Sequence, residues 1–187
     1  GVLLGLHFYF FFSAVKMTNI ANAAFLGTMA PLFTMLIEIF WLKRKIAINM
    51  IICIIIILLG SLIMVMHDFD FSKDYTSGNI YAIICSLLLG IGFVISENVR
   101  KNESTISFSR TLYLSAAVTL FILSVLIDKS VFDISINEWN ITGLLILGIV
   151  PTIFGHNSLY YAIKYISPTV VASVPLGEPV IASIIAF

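Results

Sequence analysis

Stretches of about 20 mostly apolar residues, the length a helix needs to cross a membrane, alternate along the chain with short polar interruptions. Seven stand out: 1–18, 20–42, 46–66, 78–99, 109–127, 140–163 and 168–187. A hydrocarbon core about 30 Å thick takes around 20 residues of helix at about 1.5 Å per residue. Strands of a membrane barrel run only about 9–11 residues and alternate apolar with polar, a pattern missing here. The pattern therefore predicts an all-α polytopic membrane protein with about seven transmembrane helices. The longest polar stretches, 67–77 and 128–139, leave no room for a soluble domain.

Composition sharpens the exclusion. Hydrophobic residues make up 60% of the 187 and charged residues 11%, with a mean hydropathy of +1.08. Soluble chains carry about 45–50% apolar and about 25% charged residues, so an ordinary soluble enzyme is excluded, as is a disordered chain. Ten Lys and Arg balance ten Asp and Glu, which leaves no positive field for nucleic acid. Cys53 and Cys85 sit in apolar runs without metal or redox spacing and read as small core residues. No basic segment precedes the first apolar run, so that run does not read as a signal peptide.

Charge then orients the spans. Lys43, Arg44 and Lys45 follow the second stretch, and Arg100, Lys101 and Arg110 follow the fourth. The intervening loops hold Asp68, Asp70 and Asp74 with Lys73, then Asp128, Asp133 and Glu138 with Lys129. By the positive-inside rule the Lys43–Lys45 and Arg100–Arg110 loops are cytoplasmic. Lys164 then faces in and Lys16 faces out. Trp41 and Trp139 fall at span ends, where an aromatic belt is expected.

Compared with itself at an offset of 148, the chain pairs Ala14 with Ala162, Lys16 with Lys164, Ala24 with Ala172 and Pro31 with Pro179. Lys and Pro are rare here, and both match at the same helix–loop–helix landmark. Because Lys16 and Lys164 fall on opposite faces, the copies are expected to be inverted, as in many secondary transporters. Counting residues outward from the landmarks predicts two further helices before Gly1 and one after Phe187. The whole would be ten helices in two inverted five-helix repeats, and the piece present is not expected to transport by itself.

Two segments carry a family resemblance: Ala14-Val15-Lys16 through Ala30-Pro31-Leu32-Phe33-Thr34, and Tyr161-Ala162-Ile163-Lys164-Tyr165-Ile166-Ser167-Pro168-Thr169 on to Gly177-Glu178-Pro179-Val180. They resemble the third and fourth helices of an EamA domain of the drug/metabolite transporter superfamily, and Leu58-Leu59-Gly60 resembles the end of its fifth. The resemblance implies that 1–66 holds the last three helices of a first repeat and 67–77 an extracytoplasmic loop. It implies that 78–187 is a second repeat, truncated before its last helix. It also implies a carrier of small metabolites in the cell's inner (plasma) membrane, often an exporter. One departure stands out: family members usually carry Leu-Gly-Glu or Leu-Lys-Glu after the fourth helix, and here Arg44 takes the place of that Glu.

Ionisable groups inside a bilayer are costly, so each needs a reason. Glu178 lies ten residues into the last stretch, about 15 Å deep. Pro175, Gly177 and Pro179 weaken the helix around it, since each proline removes a donor and crowds the carbonyl four residues back. Pro31 is the matching helix-break in the first copy. An acid at a broken helix suits a proton, a cation or an ammonium group; the other reading is a packing kink. His156 lies at similar depth to Glu178 and could share a proton with it. Asn157, Tyr160 and His7 are further candidates for substrate binding or coupling, each equally readable as a helix-packing residue.

These residues lead to a secondary transporter of small metabolites, working by alternating access and using protons as the candidate coupling ion. A scaffold or receptor without transport is the alternative. No phosphate loop and no catalytic constellation such as His-Glu-x-x-His occurs, which argues against ATP hydrolysis and against a membrane enzyme. No cofactor or metal is expected. The expected partners are the bilayer and the substrate, and nothing in the sequence supports a homodimer.

Overall fold

The computed structural model describes residues 1–70, 72–127, 137–177 and 181. These form α1 (Val2–Met17), α2 (Ile20–Gly27), α3 (Ala30–Leu36), α4 (Ile48–Val65), α5 (Thr76–Arg100), α6 (Thr105–Ile127), α7 (Glu138–Leu147), α8 (Asn157–Ala162) and α9 (Pro168–Ser173). One π-helical segment, Ile37–Trp41, continues α3, and another, Gly148–His156, joins α7 to α8. A 3-10 turn, Val174–Gly177, follows α9. The described residues contain no strand.

Among the described residues, five segments are long and apolar enough to span a bilayer: Ile20–Trp41, Ile48–Val65, Lys73–Arg100, Thr105–Ile127 and Glu138–Ala162. Val2–Met17 and Pro168–Gly177 are apolar but shorter. The described parts of the seven apolar stretches thus yield five helices of full spanning length. The first has only 16 residues, and the last is described as a helix and turn only to Gly177.

Local sequence explains the helix ends. Asn19 caps α2 by accepting from the Asn22 N–H at 2.7 Å, and Ser167 caps α9 by accepting from the Val170 N–H at 3.4 Å. Pro168 and Pro31 sit in the first turns of α9 and α3, where a missing N–H costs nothing. Pro151 explains the second π segment. It cannot donate to the Leu147 carbonyl four residues back, and the Thr152 hydroxyl takes that acceptor at 3.1 Å instead.

Central α5 packs against α1, α2, α3 and α9, and α6 lies on α1. Leu4, Ala30, Leu89, Phe93, Phe108, Tyr160 and Val171 form the core. The outer surface is apolar: Ile56 on α4, Leu126 on α6 and Leu144 on α7 are 62%, 75% and 62% exposed. Asn22, Thr34, Glu38, Arg100 and Thr169 are buried. Apolar outside with polar groups bonded inside is the arrangement hydrocarbon solvent selects. Cys85 is buried, but Cys53 is exposed on α4 rather than in the core.

Small residues allow close helix approach in only some places. A Cβ added at Gly90 would lie 3.2 Å from Phe33 Cβ and 3.3 Å from the Ala30 carbonyl, so α5 and α3 touch there. Gly143 and Gly148 have nothing within 4 Å.

Two polar clusters mark the ends of the bundle. At the acidic end, Asn22 donates to the Asp70 carbonyl at 2.6 Å and to Asn79 Oδ1 at 2.9 Å, and accepts from the Asp70 N–H at 2.9 Å. Thr18 also donates to Asn79 Oδ1, at 2.8 Å, and Asn19 reaches the Asp68 carbonyl at 2.8 Å. At the far end of the same α2–α3 segment, Glu38 bonds Thr169 at the start of α9. The turn before α2 and the turn before α9 therefore lie at opposite ends of that segment.

Candidate functional site

His7 and His156 come together. Their ring centroids are 6.4 Å apart, edge to face. Phe8 sits edge-on to His156 at 5.5 Å, and Phe11 stacks on His7 at 6.4 Å. His7 Nδ1 lies 3.0 Å from the Cys85 carbonyl oxygen and 3.1 Å from its sulfur. A carbonyl only accepts, so the neutral ring carries its proton on Nδ1 and leaves Nε2 as an acceptor. His156 closes the π segment that Pro151 creates, and its Nδ1 is buried without a hydrogen-bond partner among the described residues. A buried unpaired nitrogen is rare enough to need a reason. Chemically the pair can take up a proton, or accept a hydrogen bond from an ammonium or hydroxyl group.

The next turn carries the other candidates. Asn157 accepts from the Ser109 hydroxyl of α6. Tyr160 is 1% exposed, wedged between Phe93 and Phe108 at centroid distances of 5.5 and 5.4 Å. It also borders a cavity of about 340 Å³ shared with Leu4, Ser96 and Thr111. Its backbone carbonyl receives the Arg100 Nε at 3.0 Å. Pro175 and Gly177 lie in the 3-10 turn that ends α9, and Pro31 opens α3. Glu178 and Pro179 lie outside the described residues.

Sequence reasoning missed Cys85 and Ser109 as partners of His7 and Asn157, because they stand 78 and 48 residues away. Glu97 on α5 likewise bonds Arg44, 53 residues away, at 2.7 Å. That hydrogen bond comes first in holding the Arg44 guanidinium above its usual value, with Glu38 adding to it. The one available signal was Pro151, whose place inside an apolar stretch already foretells a distorted helix ending near His156.

Buried polar side chains inside an apolar-surfaced helical bundle define a polytopic membrane protein. The chain belongs to the EamA-like transporter family, whose sequence profile matches residues 1–66 and 76–187. It is 26% identical over 175 residues to the pseudopaline exporter CntI of Pseudomonas aeruginosa, covering 92% of this chain and 58% of that protein. An uncharacterized transporter of Clostridium kluyveri is 29% identical over 179 residues, with 92% and 57% covered. The chain thus spans less than two thirds of the length of these relatives. A solved crystal structure superposes with a TM-score of 0.80 at 20% identity, covering 99% of this chain and 65% of that one. At that identity it shows a common fold alone.

Proposed function

We propose that the protein is a secondary carrier that exports small metabolites across the inner membrane. Two inverted repeats would rock around a pocket near the bilayer midplane, with the basic loops in the cytoplasm. Membership of the EamA-like family supports transport, and the name of the Pseudomonas relative supports export. The observation that carries the reading is the matched break in two helices. At the offset of 148, the Asn19 cap of α2 corresponds to the Ser167 cap of α9. The interruption between Gly27 and Ala30 corresponds in the same way to the 3-10 turn Val174–Gly177. These helices start from turns at opposite ends of the bundle. Paired broken helices meeting near the midplane are where carriers of this architecture hold substrate and coupling ions.

In this reading 1–66 and 78–187 belong to separate repeats joined through 67–77, and the profile match skips 67–75. Glu178 is the coupling or substrate-binding acid. His156 and His7 form a proton-accepting pair, while Asn157 and Tyr160 line the approach.

Flux tests this directly. Vesicles holding the full-length protein are assayed with radiolabelled amino acids, amines and carboxylates, with and without a pH gradient. Gradient-driven flux of at least one class is expected, reduced about tenfold by Glu178→Gln, as befits an intramembrane acid with a functional role. Flux unchanged in a normally inserted Glu178→Gln would return that residue to packing. No flux for any compound would favour a scaffold or receptor.

A further inference from the structure

Four side chains from separate parts of the chain close on one another at the basic end. Glu38, in the π-helical continuation of α3, is 1% exposed. Its Oε1 accepts from Arg44 Nη1 at 2.7 Å, and its Oε2 accepts from the Thr169 N–H at 3.3 Å and from the Thr169 hydroxyl. The Arg44 guanidinium continues to Glu97 on α5, with bonds of 3.1 and 2.7 Å. The backbone places Arg44 for this. Lys43 turns through a left-handed conformation at φ 52°, and the Arg44 N–H returns to the Glu38 carbonyl at 2.8 Å.

A carboxylate this deeply buried is costly unless donors surround it. Here the donors come from the loop after α3 and from the first turn of α9. The contacts cross between residues 1–66 and 76–187, the two stretches that the family profile matches separately. Any motion that parts α3 from α9 at this end must break the Glu38–Thr169 bonds. Water would then replace Thr169 as the donor to Glu38. A hydrogen bond exchanged for one to water changes little net free energy, which suits a contact that opens and closes repeatedly. An apolar seal of the same area would resist wetting instead.

Resting on the carrier reading above, we infer that Glu38, Arg44, Glu97 and Thr169 form the latch that closes the basic mouth of the transport path. With the latch shut, Thr34, one turn deeper than Glu38, has no exposed surface. With it open, Thr34 meets water from the basic side.

The test uses Thr34→Cys in the full-length protein. Among the described residues its hydroxyl bonds only the Ala30 and Pro31 carbonyls of its own helix, so little is lost. A membrane-impermeant maleimide is applied to vesicles of both orientations, and labelling at residue 34 is read by peptide mass. The expected result is slow labelling, made about tenfold faster from the basic side by Glu38→Gln or Thr169→Val, the effect of one lost contact on an opening equilibrium. Arg44→Glu should act likewise, and adding Glu97→Arg should slow labelling again, which a merely structural role would not produce. Unchanged labelling in folded Glu38→Gln and Thr169→Val overturns the latch, as does failure of the charge reversal to restore slow labelling. Labelling needs no substrate, so it judges the latch alone. Absent flux in the unaltered protein counts against the carrier reading alone.

Discussion

Arg100→Met is expected to destabilise the protein by about 3 kcal/mol, because it strips donors from buried acceptors. Arg100 is 1% exposed and ends α5. It donates to the Tyr160 carbonyl at 3.0 Å, to the Glu103 carbonyl at 2.5 Å and to the Thr105 hydroxyl at 2.7 Å. Its guanidinium also stands 5.6 Å from the centre of the Phe108 ring. One side chain thereby pins the α5–α6 turn to the last turn of α8. Methionine keeps most of the stem but supplies no donor, so the carbonyls that turned inward lose their partner. Arg100→Lys should fall between the two, since one ammonium cannot reproduce a planar fork aimed three ways. Detergent unfolding followed by circular dichroism measures the series. A methionine variant within about 0.5 kcal/mol of the original, the usual range for a surface change, would refute this role.

Arg100 also shows where sequence reading stops. Its charge and its place after an apolar stretch lead the sequence to expect a loop outside the bilayer, and on that ground alone it reads as a solvated anchor. Its burial depends on the Tyr160 carbonyl, 60 residues further on, and no spacing rule encodes such a partner. The same holds for Glu97 and Arg44, 53 residues apart, and for Glu38 and Thr169, 131 apart. What does read directly are features carried by single residue types. Asn19 and Ser167 announce helix starts, Pro31 and Pro175 announce interruptions, and the count of apolar residues announces spans. Even there, apolar length overstates the helices, because interruptions shorten the regular α-helix within each apolar run. His7 and His156 were both legible as polar groups at depth. Their meeting at 6.4 Å depends on how α1 packs across α5 and α6, which hydropathy leaves open.

That packing of α1 against α5 depends on Gly78, where a single added carbon should have a large effect. A Cβ there would lie 2.6 and 2.7 Å from the carbonyl carbon and oxygen of Met17, and 2.7 Å from Thr18 Cβ. Two of these are backbone atoms at the end of α1, so no side chain can swing aside; α1 and α5 must separate. The neighbouring residue is Asn79, which receives the hydroxyl of Thr18 and the amide of Asn22, so separation also pulls apart the polar cluster of the acidic end. Gly78→Ala is therefore expected to cost about 3 kcal/mol, at the upper end for overpacking. Gly92→Ala on the same helix is the control. Its added carbon would approach nothing nearer than Leu3 Cβ at 4.0 Å, so the change should be neutral or gain up to about 1 kcal/mol from helix propensity. Detergent unfolding of the two variants separates a steric requirement at one glycine from a general preference for small residues along α5. Equal stabilities would mean that α1 can retreat from α5 without loss, and that the acidic-end cluster holds the two helices more loosely than its hydrogen bonds imply.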